Sequence, residues 1–244
     1  MPQFTVTGDV DPFLHVSMQQ GEKIYCESNA MVMMESNLEL KGKMTGGLGS
    51  ALMRTFANGE SFFQQHIEAI KGGGDCLLSP VLPGAIQVLD VGTTSYMITD
   101  GAFVAAESGV ALKVRTQSLG TAIFGDTGGF FICEASGFGK LAVSGMGSSF
   151  VLEVEQGKDI IVDNAHVVAW DSALRHEVSV TTSGGGFMGR LVNSVTSGEG
   201  MVLKFSGKGT GAASSSPAGS SSSGKMTGSS KPPQNQNQGA SWLK

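Results

Sequence analysis

Long apolar runs are missing from this sequence: none approaches the roughly 18 residues of a membrane-spanning helix. Charge is scarce, at 15% of 244 residues, and aromatic residues make up 7%. A helical bundle or coiled coil wants abundant Glu, Lys, Leu and Ala, so that composition argues against one. There are three cysteines, Cys26, Cys76 and Cys133, with no CxxC pair. An odd, dispersed set supports neither a disulfide framework nor a zinc site. Each lies in an apolar stretch, so buried inert thiols and a reducing compartment are expected. The N-terminal stretch MPQFTVTGDVDPFLHV has no basic and apolar signal pattern, and it carries Asp9 and Asp11 where a mitochondrial presequence is rich in Arg. The cytosol is the expected compartment.

What is abundant is glycine, 36 residues, beside a hydrophobic content of 40% that suffices for a buried core. Short apolar runs such as VLDVG, SYMIT, AFVAA, FVLEVE, DIIVD and HVVAW alternate with Gly-containing turns over residues 1–206. Their length, their Val, Ile and Phe content and their spacing predict an all-β fold. Residues 207–244 differ: ten Ser, seven Gly and the run PPQNQNQ predict a flexible tail. The charge is also divided. Residues 1–206 hold 12 basic and 21 acidic side chains, whereas the tail holds Lys208, Lys225, Lys231 and Lys244 and no acid. An acidic body repels phosphate backbones, which argues against nucleic-acid binding.

Internal repetition organises the β region. The block QGEKIYCESNAMVMMES from Gln20 aligns without gaps to QGKDIIVDNAHVVAWDS from Gln156, and GTTSYMITDGAFVAAES from Gly92 follows the same plan. Each ends in an acid followed by Ser. A second marker, a Gly-rich connector and then a strand leading to a Gly pair, has strand starts at Phe62, Phe130 and Met201, which are 68 and 71 residues apart. The block near 14–36 has the strand pair without a preceding marker, and the block near 185–210 has the marker without a following strand pair. They read as halves of one split repeat. The expected result is a pseudo-threefold ring in which the N-terminal strands pair beside the C-terminal ones, removing exposed edges. An open array with an incomplete last unit is the alternative. Leu48, Leu52, Met53 and Phe56 have helical spacing between Ser50 and Gly59 and predict a short helical connector.

Ten ordered motifs resemble the altered-inheritance-of-mitochondria family of the number-twenty-four type. They include QQGEKIYCESNAMVMM, KMTGGLGSALMR, NGESFF, KGGGDCLLSPVLPGAIQVLD, TDGAFVAAESGV, SGFGKLAVSGMG, VDNAHVVAWD and GEGMVLKFSGKGT. Together they span residues 19–210. The resemblance implies a triplicated β-helix-like barrel similar to the tryptophan RNA-binding attenuation protein, a homotrimer, and a link in eukaryotes to mitochondrial biogenesis. It makes the mitochondrion the alternative compartment. It brings no catalytic residues. The family's final apolar strand is replaced here by GKGTGAASSSPAGSSSS, so that strand is expected to be lost, weakened or replaced.

Chemistry-bearing residues are few. His15, His66, His166 and His176 contain no HxH pair. His166 and His176 could be neighbours across a hairpin with Asp163, Asp171 or Glu177, which is the only metal set of cupin-like type. Cys133 with His166 is the only nucleophile and base to consider. GLGSA and GMGSS are not GxSxG elbows. Glu153 and Glu155 share a strand face, as expected of a solvated surface. KGGGD, TTSGGGFMG and SGFGKLAVSG lack the spacing of a phosphate loop and read as tight turns. Phe62/Phe63 and Phe130/Phe131 each send one ring outward, which suits an oligomer interface or cover by a connector better than an RNA platform. Met31 and Met33 are expected on one face, as filler of a core or interface. No catalytic, cofactor-binding or metal-binding residue is therefore assigned. The expected function is a non-enzymatic oligomeric scaffold with an unknown protein or lipid partner. A cupin-like metal or small-ligand barrel and an RNA-binding ring are the alternatives.

Overall fold

The computed structural model describes residues 1–44, 63–99, 101–116, 131–180 and 201–217. These residues form nineteen strands and one turn of 3-10 helix at Asn164–His166. The first eight strands are β1 (Gln3–Thr7), β2 (Phe13–Met18), β3 (Lys23–Glu27), β4 (Met31–Met34), β5 (Leu38–Met44), β6 (Phe63–Ala69), β7 (Gly74–Leu78) and β8 (Gly84–Val91). Then come β9 (Tyr96–Thr99), β10 (Phe103–Glu107), β11 (Val110–Thr116), β12 (Phe131–Gly137), β13 (Gly139–Met146) and β14 (Ser149–Val154). The last are β15 (Ile160–Asp163), β16 (Val167–Asp171), β17 (Arg175–Val180), β18 (Met201–Ser206) and β19 (Gly209–Ser214). The all-β expectation holds, and no α-helix occurs among the described residues. The helical connector expected around Leu48 lies outside them.

Four antiparallel sheets result. Sheet 1 has the order β1-β2-β7-β4, and sheet 4 the order β15-β18-β17. Sheet 2 runs β5-β6-β3-β10-β13-β8, and sheet 3 runs β11-β12-β9-β16-β19-β14. Every strand of sheet 3 is the strand of sheet 2 six places further along the chain. Consecutive strands often change sheet: β3 lies in sheet 2 and β4 in sheet 1, β9 in sheet 3 and β10 in sheet 2. No strand within 14–36 pairs with a strand within 201–214 among the described residues, so the expected pairing of N-terminal beside C-terminal strands is not formed within the chain. The described strands form no closed barrel.

One irregularity occurs three times. A β-bulge interrupts β4 between Met31 and Met33, β10 between Phe103 and Ala105, and β16 between Val167 and Ala169. The extra residue is Val32, Val104 or Val168. A bulge opposes two residues to one and so resets which face the following side chains take. Met31 and Met34 consequently pack on the core while Met33 is 45% exposed. The expectation that Met31 and Met33 share a face is thereby corrected, because simple alternation fails across the extra residue. The turns before β4 and β10 hold Asn29 and Gly101 at φ +69° and +71°, a left-handed conformation that Gly and Asn tolerate.

Three apolar clusters lie between successive sheets. Leu14, Val16, Met18 and Leu78 of sheet 1 meet Ile24, Cys26, Ile67, Ile86 and Val104 of sheet 2. Tyr25, Val91, Phe103 and Leu141 of sheet 2 meet Ile98, Val110, Val168 and Ala212 of sheet 3. Ile132, Val154, Val167 and Trp170 of sheet 3 meet Leu174, Leu203 and Phe205 in and beside sheet 4. The sheets are thus stacked in series, with sheets 1 and 4 at its two ends. The last strand, β19, forms from GTGAAS between β14 and β16, beyond residue 206 where the β region was expected to end. Small residues suit this central position, because a Cβ at Gly211 would lie 3.3 Å from Ala169 O and 3.6 Å from Trp170 Cβ.

Candidate functional site

The histidine set is dispersed. His166 Nδ1 lies 2.7 Å from Ser214 O at the end of the 3-10 turn. His176 sits on β17, paired with β18 in sheet 4, and its ring meets Trp170 edge-on at 5.3 Å between centroids. Burial lowers its pKa. The two are therefore not hairpin neighbours. Asp163 and Asp171 accept hydrogen bonds from Ala165 N and Ala173 N, both at 2.8 Å. Glu177 stands opposite Lys204. Among the described residues no group of three or more His, Cys, Asp or Glu side chains could hold a metal.

The remaining candidates also resolve into structure. Cys133 lies on β12 and His166 precedes β16; β9 separates these strands, so their backbones are about 10 Å apart. Cys26 and Cys76 are fully buried free thiols, and burial pushes each up to about 12. Neither is a thiolate nucleophile at neutral pH. Glu153 is exposed on β14, and Glu155 pairs with Lys158 at 2.5 Å. Phe63 and Phe131 open β6 and β12; Phe62, Phe130 and the placement of all four rings lie outside the described residues. The GGGF string at 184–187 also lies outside them.

The acids that end the repeated blocks have a common structural use. Glu35 accepts from Asp75 N at 3.2 Å, and Glu107 accepts from Lys140 N at 3.2 Å. Each such acid faces a glycine. A Cβ at Gly74 would lie 3.0 Å from Glu35 Oε2, one at Gly139 3.2 Å from Glu107 Oε2, and one at Gly209 3.1 Å from Asp171 Oδ2. Both parts of this clasp, the acid-Ser ends and the Gly pairs, are visible in the sequence. Their meeting is not, because they come from strands some 32 to 40 residues apart. Glu107 is 6% exposed, and burial raises its pKa.

One cleft among the described residues is small. A cleft between sheets 2 and 3, lined by Gln87, Leu89, Tyr96, Val151 and Trp170, has a volume of about 30 Å³. That is room for a water or two, against the several hundred Å³ of a typical ligand pocket.

Exposed apolar side chains occur on edge strands of the two end sheets. β3 and β9 pair on both sides in sheets 2 and 3, as do β10 and β16. Their counterparts β15 and β4 are edge strands of sheets 4 and 1. They carry apolar side chains in the open: Ile161 is 61% exposed, Val32 53% and Met33 45%. Nearby strands add Phe150 at 68% and Phe13 at 37%. Exposed apolar edge strands are normally avoided because they template further pairing. No helix among the described residues is long and apolar enough to cross a membrane.

Known proteins are similar to this chain. A family profile described as mitochondrial biogenesis AIM24 matches residues 4–215. An uncharacterized protein of Streptococcus pyogenes serotype M6 is 32% identical over 214 residues, which cover 85% of this chain and 83% of that one. A crystal structure of a Streptococcus pyogenes protein from a structural-genomics programme superposes with a TM-score of 0.71 at 29% identity, over 89% of this chain and 94% of that one. The match spans nearly all the described strands, and on it this chain belongs to the mitochondrial biogenesis AIM24 family.

Proposed function

We propose that the protein is a non-catalytic β scaffold, built from three related β units, that works as an assembly of three copies and presents its repeated surface to a protein or lipid partner. The observation that supports it is the difference between complete and partial sheets: strands central to sheets 2 and 3 have counterparts left as apolar edges in sheets 1 and 4. An edge of that kind is an assembly element when it is matched by another, and a liability when it is not. The common irregularity of β4, β10 and β16 and their shared acid-glycine clasp support the three units. The acidic β region weighs against an RNA partner, and the ring-like RNA-binding fold that the resemblance implies would not by itself argue for one, since one fold hosts many functions.

Light scattering on the full-length chain tests this reading. The expected mass is about three times 25.2 kDa, independent of concentration over the micromolar range. A monodisperse single-chain mass, or turnover of a substrate from a broad panel, overturns it.

A further inference from the structure

The two partial sheets are complementary halves of one pattern. In sheet 2 the half β5-β6-β3 joins the half β10-β13-β8, and in sheet 3 β11-β12-β9 joins β16-β19-β14. Sheet 4, β17-β18-β15, follows the first half; β4-β7-β2 of sheet 1 follows the second.

The register of the missing junction can be read from the two that exist. The halves join with Cys26 opposite Ala105 in sheet 2 and Ile98 opposite Ala169 in sheet 3. Behind them, Cys26 faces Gln65 and Ile98 faces Cys133, and in sheet 4 Val162 holds the corresponding place opposite Leu203. Ala105 faces Ala142 and Ala169 faces Ala212, each one residue past its bulge, and Met33 holds that place opposite Leu77 in sheet 1.

We infer that β15 of one copy pairs antiparallel with β4 of the next copy, with Val162 opposite Met33 and Ile161 opposite Met34. Sheet 4 and the neighbouring sheet 1 then form one composite sheet. The inference rests on the assembly reading above and names its contact: head to tail, between two different surfaces of the same chain.

The sheet faces agree with the edges. Leu14, Gln87 and Phe150 hold corresponding places on β2, β8 and β14, opposite Leu78, Val143 and Ala213. Leu14 is fully buried beneath sheet 2, whereas Phe150 is 68% exposed. Sheet 4 covers only part of sheet 3, through Val154 and Trp170. The half-layer that would cover Phe150 is the counterpart of sheet 1. The side of sheet 1 turned away from its own core offers Phe13, Val32 and Met33, the counterparts of Ile86, Val104 and Ala105, which pack on the preceding sheet. A second copy is the occupant, because sheet 1 already packs on sheet 2 and sheet 4 on sheet 3, at opposite ends of the series.

Two full-length variants carrying different tags, Val162→Cys and Met33→Cys in a Cys133→Ser background, test the register. Mixed and oxidised, they should yield a disulfide-linked pair bearing both tags, since directly opposed strand residues fall within the Cα separation a disulfide requires. Neither variant alone should cross-link, and Val162→Cys with Met31→Cys should not. A link formed within a single chain carrying both cysteines, or equal linking of the Met31 control, overturns the inference. Separately, the double variant Val32→Lys, Met33→Lys should keep the unfolding midpoint of the isolated chain and weaken self-association by at least about tenfold. An assembled wild type that neither links nor responds to these lysines overturns the head-to-tail contact and leaves the scaffold reading standing. A single-chain wild type removes both.

Discussion

Val104 and Val168, the extra residues of the bulges in β10 and β16, are 0% and 4% exposed; Val32, the extra residue of the bulge in β4, is 53% exposed. The three share residue type and local backbone irregularity. They differ in their surroundings: β10 and β16 have a partner strand on each side and a covering layer, whereas β4 is an edge strand. Val104 packs in the cluster between sheets 1 and 2 and Val168 in that between sheets 2 and 3, whereas Val32 belongs to no apolar cluster among the described residues. Burial is thus conferred here by the neighbouring layer, and a pattern that reads as core can end as surface when it falls at the end of the series.

The sharpest way to break this comparison is to place a charge at each bulge. Val104→Asp or Val168→Asp buries an unpaired carboxylate and should cost about 4 kcal/mol or more, enough to unfold much of the population. Val32→Asp should change the stability of the isolated chain by no more than about 0.5 kcal/mol. Urea unfolding of the three variants decides the matter, and a comparable loss at Val32 would show that its site is covered within the chain. Truncations follow the same logic on the sheet faces. Leu141→Ala, in the core between sheets 2 and 3, should lose about 2–4 kcal/mol, while Phe150→Ala should leave the isolated chain nearly unaltered and weaken assembly.

Gly145→Ala probes how tightly the complete sheets meet. A Cβ there would lie 2.6 Å from Val168 Cγ2 and 2.7 Å from Ser214 Cβ, so the variant should lose about 1–3 kcal/mol by thermal or denaturant unfolding. The smallest effect expected is a pH dependence. Burial raises the folded-state pKa of Glu107 above its ordinary value of 4.5. The folded protein therefore holds that proton more tightly than the unfolded chain does. The contribution is fully present below pH 4.5 and is lost as pH rises through the folded-state value. Glu107→Gln should flatten that part of the stability profile, and an unaltered slope would assign it to other groups.

Much of the fold is legible in the residues. The strand starts inferred at Phe62, Phe130 and Met201 fall within one residue of the starts of β6, β12 and β18, which occupy corresponding places in sheets 2, 3 and 4. The blocks from Gln20, Gly92 and Gln156 each contain two strands, as their apolar runs suggest. Less legible is the weak strand β19. GTGAAS has little intrinsic strand preference, and it is held because β14 and β16 supply ladders on both sides. The candidate site was harder still. Val32, Met33, Phe150 and Ile161 look like ordinary core residues, and alternation alone puts Met31 and Met33 on one face because a bulge leaves no mark in an alternating pattern.

By itself, then, the amino-acid sequence determined the all-β class, the glycine turns, the recurring blocks and the family, because these depend on neighbours a few residues apart. The tertiary structure decided which strands share a sheet, where the bulges turn side chains over and which apolar edges are left open. Those depend on strands far apart in the chain: β3 pairs with β10, β13 with β8, and β15 and β4 stand at opposite ends with the same chemistry and no partner strand beside their outer edges among the described residues. Local pattern does not separate them: a core strand has a partner on each side and a covering layer, and an edge strand lacks a partner on one side.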